Sequence, residues 1–249
     1  MSNTILFIFE GEKTEPEIFE NMKRYYFQDK TNSYLIATYN TNIYKLYEDV
    51  FDDSDLDLVE LLREKNKETL KDTRRDDVDQ IYLFFDYDGQ ASNFDDHKIY
   101  EMLEFFNNET ENGKLFISYP MVESLVDLAG LCDCNEERSK VLAKHNVGYK
   151  KHVKKTSHIK IFSKMRRDDW EVIIKKSVLK ANSIVRDEYL IPEYSVFLSF
   201  EQQVIFKKQL SRFIHPLSKV AILCSFPMFI LDYYGKVLYD MILREQSNE

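Results

Sequence analysis

With 249 residues, 44% of them hydrophobic and 31% charged, and only six glycines and five prolines, the chain has a globular composition that excludes fibrous, low-complexity and disordered classes. A net charge of −9 excludes a surface that is basic throughout, and three cysteines give no even disulfide framework. The most apolar late stretch, Val220–Leu231, is interrupted by Pro227 and is shorter than the about 20 residues of a membrane span; no basic leader precedes the first apolar run, so a cytoplasmic protein with no membrane partner is expected.

Ile5-Leu6-Phe7-Ile8-Phe9 runs without a break into Glu10-Gly11. A continuous apolar run followed by helix signals reads as a strand buried on both faces, as in a parallel sheet. Glu10 then falls at the C-terminal end of the strand, where open α/β sheets place their ligand sites. Thr14 as a hydroxyl cap, Pro16, and the early acids Glu15 and Glu17 predict a helix from Thr14 to about Phe27. Ser33 to Tyr39 reads as a second strand, followed by a helix carrying Ile43, Leu46, Tyr47 and Val50. Residues 52–79 are rich in charge and predict one exposed helix within an insertion, with Asp77 and Asp79 in a loop.

Ile81-Tyr82-Leu83-Phe84-Phe85 is a second buried-strand run and ends in Asp86-Tyr87-Asp88-Gly89. Residues i and i+2 of a strand share a face, so Asp86 and Asp88 are expected to present two carboxylates to one spot. Two such groups repel unless a proton or cation lies between them. If this strand lies beside the first, Glu10, Asp86 and Asp88 make an all-oxygen cluster suited to Mg²⁺ or Mn²⁺. Each motif taken alone is equally a solvated strand end. The pair, each following an apolar run, is more specific than either.

Residues 95–107 predict an amphipathic helix, and Asn112-Gly113 turns the chain into a strand over 114–118. Alternating strands and helices are the pattern of a parallel sheet with crossover helices. Glu123, just past Tyr119-Pro120, is a candidate further ligand or base, and equally an acid at a helix start. From about residue 130 the alternation gives way to helical patterns, with helices expected over 169–186, 201–213 and 217–244. The expected organisation is a four-stranded α/β domain over 1–130 and a helical, basic region over 131–249. Cys132-Asp-Cys134 lacks the spacing of a zinc knuckle.

Residues 138–180 hold 14 Lys or Arg against three Asp or Glu. A basic segment in an acidic chain is a candidate phosphate-binding surface, or a face that docks an acidic partner. Lys150, Lys151, Lys154, Lys155, Arg166 and Arg167 carry it, and Lys13 stands in the loop after the first strand. Tyr149, His152 and Phe162 are interleaved with these cations, as stacking platforms or as core, and His152 or His158 is a candidate acid or base. The aromatic residues crowding the last helix fit burial within the monomer, a homodimer contact or a contact with another protein.

Glu-Gly on a first strand with Asp-X-Asp on a later one resembles the TOPRIM domain of topoisomerases, primases and OLD-type nucleases. Phe9-Glu10-Gly11-Glu12-Lys13-Thr14-Glu15-Pro16 is similar to the opening of RloB-like TOPRIM proteins, and Pro120-Met-Val-Glu123 to a step of that branch. The resemblance covers about residues 1–130. It implies a Mg²⁺- or Mn²⁺-dependent nuclease acting on DNA or on an RNA such as tRNA, with Glu10, Asp86 and Asp88 as metal ligands and Glu10 or Glu123 in acid–base work. It further implies an anti-phage or abortive-infection setting beside a partner ATPase; the chain has no phosphate-binding Gly-rich Lys-Ser/Thr loop of its own. A non-catalytic TOPRIM-fold partner or sensor is the alternative expectation, and a phosphatase is disfavoured because its usual nucleophile position holds Glu10.

Overall fold

The protein is described by a computed structural model covering residues 3–51, 57–130, 140–143 and 148–243. It divides into two compact units, one of residues 1–86 with 91–116, the other of residues 87–90 with 117–249. The division falls at Phe116, ahead of the expected residue 130, and the short segment Tyr87–Gln90 joins the second unit.

The first unit is built on β1 (Thr4–Phe9), α1 (Thr14–Lys23), β2 (Ser33–Thr38), α2 (Ile43–Phe51), α3 (Leu58–Lys65), α4 (Lys67–Leu70), β3 (Gln80–Asp86), α5 (Asp96–Phe105), β4 (Asn107–Asn108) and β5 (Gly113–Ser118), whose last two residues pass into the second unit. The sheet order is β2-β1-β3-β5-β4, with β1 parallel to both β2 and β3. This is the expected mostly parallel α/β sheet, with five strands rather than four. The added strand is β4, two residues paired antiparallel with β5, and too short to leave a periodic signal.

β1 lies at the middle of the first three strands and Ile5 to Phe9 are all buried, so the unbroken apolar run does mark a strand covered on both faces. Alternation sorts the side chains. Phe7 and Phe9 meet Phe19 of α1 at ring-centroid distances of 4.2 and 5.7 Å, and Phe84 of β3 at 6.3 and 5.5 Å. The start of the β1–β3 pair is fixed by Asp79: its N–H donates to Thr4 O, and its carboxylate accepts from Thr4 N at 2.7 Å. Gly113 opens β5 with φ 113°, and a Cβ there would lie 2.7 Å from Leu83 Cδ1, so this turn requires glycine on both counts.

The charged insertion forms two helices, not one exposed helix. Leu58, Val59, Leu62 and Leu70 are buried, and Asn66 interrupts the helix between them. Its amide does what a neighbouring strand would do. Oδ1 accepts from Thr38 N at 2.8 Å and Nδ2 donates to Thr38 O at 2.9 Å. The edge strand β2 is thereby capped at its last residue.

The second unit holds α6 (Ser124–Gly130), β6 (Lys140–Leu142), α7 (Tyr149–Thr156), α8 (Arg167–Arg186), α9 (Tyr194–Phe197), α10 (Gln202–Gln209), α11 (His215–Leu217), β7 (Lys219–Ala221) and α12 (Ser225–Leu243). Helices dominate, as expected, but β6 and β7 pair antiparallel, and the stretch expected to be one helix over 217–244 begins as a strand. Gln209, fully buried, holds β7 by donating to Ala221 O and accepting from Ala221 N. α12 starts only at Ser225 and contains Gly235 with φ 63°, outside helical geometry. Its apolar residues Phe226 to Leu231 are buried. Among the described residues no helix is long and apolar enough to cross a membrane. Cys132 and Cys134 lie outside the described residues.

Candidate functional site

In the first unit, the ladder continues one residue past β1. Glu10 N donates to Phe84 O, and Glu10 O accepts from Asn40 N. The Glu10 side chain then reaches sideways to the end of β3, where its Oε2 accepts from Asp86 N at 3.0 Å. Two acids 76 positions apart in sequence are therefore joined by one hydrogen bond at the C-terminal ends of adjacent parallel strands. Both are partly exposed.

The loop after Glu10 is shaped from below. Glu15, expected as an acid of the first helical turn, is 7% exposed, and a Cβ on Gly11 would lie 2.9 Å from its Oε2. The missing side chain at residue 11 leaves room for that buried carboxylate. Thr14 is the first residue of α1 rather than its cap; Lys13 takes the cap position with no side-chain bond, and is exposed. Asn40, which carries no motif in the sequence, sits in the left-handed region at φ 65° and donates through Nδ2 to Glu12 Oε1 at 2.7 Å. An Asn directly after a strand is the available signal, because its short amide tolerates that conformation.

In the second unit, Asp88 follows two residues after β3 has ended. It lies outside the strand at φ 37°, so the i, i+2 rule for a strand does not extend to it. The burial alternation does persist, with Tyr87 buried between two partly exposed acids. Burial pushes the Asp88 carboxyl above the ordinary aspartate value, partly offset by a hydrogen bond from Gln90.

Glu123 is 3% exposed, and Lys150 Nζ lies 2.6 Å from its Oε1. One residue expected as a ligand and another expected to meet phosphate are thus paired with each other. Beside them Tyr149 OH donates to Asp127 Oδ2 at 2.8 Å. Burial raises the Asp127 carboxyl, against the pull of Tyr149 and His152, and burial together with Asp127 pushes the Tyr149 phenol well above its ordinary value. Asp127 stands one helical turn from Glu123, and that i, i+4 spacing was the sequence signal for it. Tyr149 is core rather than a stacking platform.

The remaining cations separate into two groups. Lys151, Lys154, Lys155 and His152 are exposed on α7. Arg166 and Arg167 are exposed too, but each has an acid nearby: Arg166 Nε is 3.6 Å from Asp169 and Arg167 Nε is 3.0 Å from Glu171. Among the described residues, no group of three or more His, Cys, Asp or Glu side chains is arranged to hold a metal ion. Glu10 and Asp86 are brought together in the first unit, which also holds Lys13; Asp88, Glu123 and the basic residues of 150–167 belong to the other unit. Compared with models of known families, with curated proteins and with solved structures, the chain matches none of them.

Proposed function

We propose that the chain is a divalent-metal-dependent nuclease of the TOPRIM type, similar to RloB-like proteins, cutting phosphodiesters of DNA or of an RNA such as tRNA. The observation that supports this reading is the Glu10–Asp86 hydrogen bond, which joins the two motif acids at neighbouring strand ends. Their donors are hard carboxylate oxygens, and Mg²⁺ is commonly held by one or two carboxylates with substrate phosphates and water completing its shell. That donor set fits Mg²⁺ or Mn²⁺, with Glu10 and Asp86 as the residues that would hold it. When bound, such an ion supplies Lewis-acid polarisation of a phosphate and a water of lowered pKa.

The side chains contribute the rest. The Asp86 N–H orients the Glu10 carboxylate. The exposed Lys13, Lys151, Lys154 and Lys155 offer charge to a phosphate backbone, which positions a nucleic acid without reading its sequence. Tyr39 and Tyr149 have phenols pushed up by burial, which counts against either as a covalent nucleophile. An anti-phage role beside a partner ATPase belongs to the same proposal and rests on the resemblance alone.

The test is cleavage of plasmid, single-stranded DNA and total tRNA with Mg²⁺ or Mn²⁺ by wild type, Glu10→Ala and Asp86→Ala. Activity retained in both variants removes this site from the chemistry. A second reading, a non-catalytic TOPRIM-fold partner or sensor in a defence complex, is favoured by the lack of a three-ligand group among the described residues. Failure of the wild-type protein to bind Mn²⁺ would select it.

A further inference from the structure

Between α7 and α8 the chain wraps around a cavity of about 350 Å³ in the second unit. Its lining divides by chemistry. Ile159, Ile161 and Met165 are its apolar residues, while His158, Lys160, Lys164 and Arg166 supply nitrogen donors against one acid, Asp169. Two of these charges are already committed. Lys160 Nζ donates to the carbonyls of Lys154 and Lys155, and Asp169 caps α8 by accepting from Arg166 N at 2.8 Å. Lys164 is exposed and makes no ion pair among the described residues, and the Arg166 guanidinium has only the 3.6 Å approach of Asp169. The cavity therefore offers an anion two cationic groups together with three apolar side chains. A simple anion has no use for the apolar residues, and an apolar ligand has none for the charges.

We propose that this cavity holds one phosphorylated nucleoside unit, its phosphate on Lys164 and Arg166 and its base against Ile159, Ile161 and Met165. Its volume is at the small end of ligand pockets, about 300–1,000 Å³, which suits one nucleotide. The Met165 thioether and the two isoleucines give a base a polarisable, apolar surface. The unit has two chemical sources, a free mononucleotide or the end of a nucleic-acid strand, and only the second rests on the nuclease reading.

Isothermal titration of the full chain tests this. Wild type is titrated with AMP, adenosine and inorganic phosphate, and Glu10→Ala with a tetranucleotide with and without a 5′-phosphate. The expected result is saturable one-to-one AMP binding, with adenosine and phosphate each at least about tenfold weaker. Lys164→Ala with Arg166→Ala, and separately Ile161→Glu at a side chain that is 45% exposed, each weaken AMP at least about tenfold. A phosphorylated tetranucleotide that binds as tightly as AMP assigns the strand end, and one about tenfold weaker assigns the free nucleotide. No saturable binding of AMP or tetranucleotide overturns the proposal, as does AMP binding unchanged in both sets of variants. A chain that binds AMP but cleaves nothing fails only as a nuclease; one that cleaves through Glu10 but takes up no nucleotide fails only here.

Discussion

Replacing Glu10 by Gln and by Ala separates its two possible duties, holding the end of β3 and carrying charge. Gln keeps an oxygen acceptor for Asp86 N, now at 3.0 Å from Oε2, and removes the charge; Ala removes both. A hydrogen bond to a charged group contributes about 1.5–3 kcal/mol, and at a partly exposed site about 1–2 kcal/mol is expected. For a chain of this size each kcal/mol moves the melting temperature by about 2–4 °C, so Glu10→Ala should melt about 2–8 °C below wild type. Glu10→Gln should recover at least half of that loss. Mn²⁺ affinity should behave differently, falling in both variants, because an amide oxygen is a poorer ligand for a hard cation. Thermal melts, with Mn²⁺ titration followed by electron paramagnetic resonance, read both quantities. Equal melting temperatures for Gln and Ala would refute the hydrogen-bond argument, and wild-type Mn²⁺ affinity in Glu10→Gln would refute the ligand argument.

Asn66→Ala deletes four amide hydrogen bonds, to Thr38 N, Thr38 Oγ1, Thr38 O and Leu62 O, and should cost about 2–3 kcal/mol, seen as a lower urea midpoint; an unchanged midpoint would show that water replaces them freely. Asp88 should titrate above the ordinary aspartate value in a carboxyl-carbon NMR titration. A raised folded-state value makes its contribution to stability full at low pH and lost as pH rises through that value; an ordinary midpoint would deny the burial. Lys150→Met leaves Glu123 buried without its cation and should cost about 1–3 kcal/mol, with Glu123→Gln in the same chain restoring at least half; additive losses in denaturant melts would mean that the pair is not coupled.

The central strands were legible because their chemistry is repetitive. β1 and β3 are unbroken apolar runs, and Asn112-Gly113 announced the turn into β5 that the φ of Gly113 demands. What escaped detection was non-local. β6 and β7 are three residues each and include exposed positions such as Leu142, so neither alternates long enough to register. The helix break at Asn66 depends on Thr38, 28 residues earlier. Glu123 and Lys150 each looked available because a sequence reading cannot see that they face each other. At the candidate site, strand adjacency follows from the apolar runs, but the left-handed φ of Asp88 does not, since Asp adopts that conformation without any neighbouring glycine requirement.

The polypeptide passes between its two units three times, after Asp86, after Gln90 and after Phe116. Neither unit can therefore be excised, swapped or fused elsewhere by a single break in the gene. A fragment ending at Phe116 carries Tyr87–Gln90 as an orphan, and one starting at Ile117 lacks it, Asp88 included. Complementation with split halves would have to restore that four-residue piece in its own register, and recombination that trades one unit for a homologous one must cut between Asp86 and Asp88 as well as after Gln90 and Phe116.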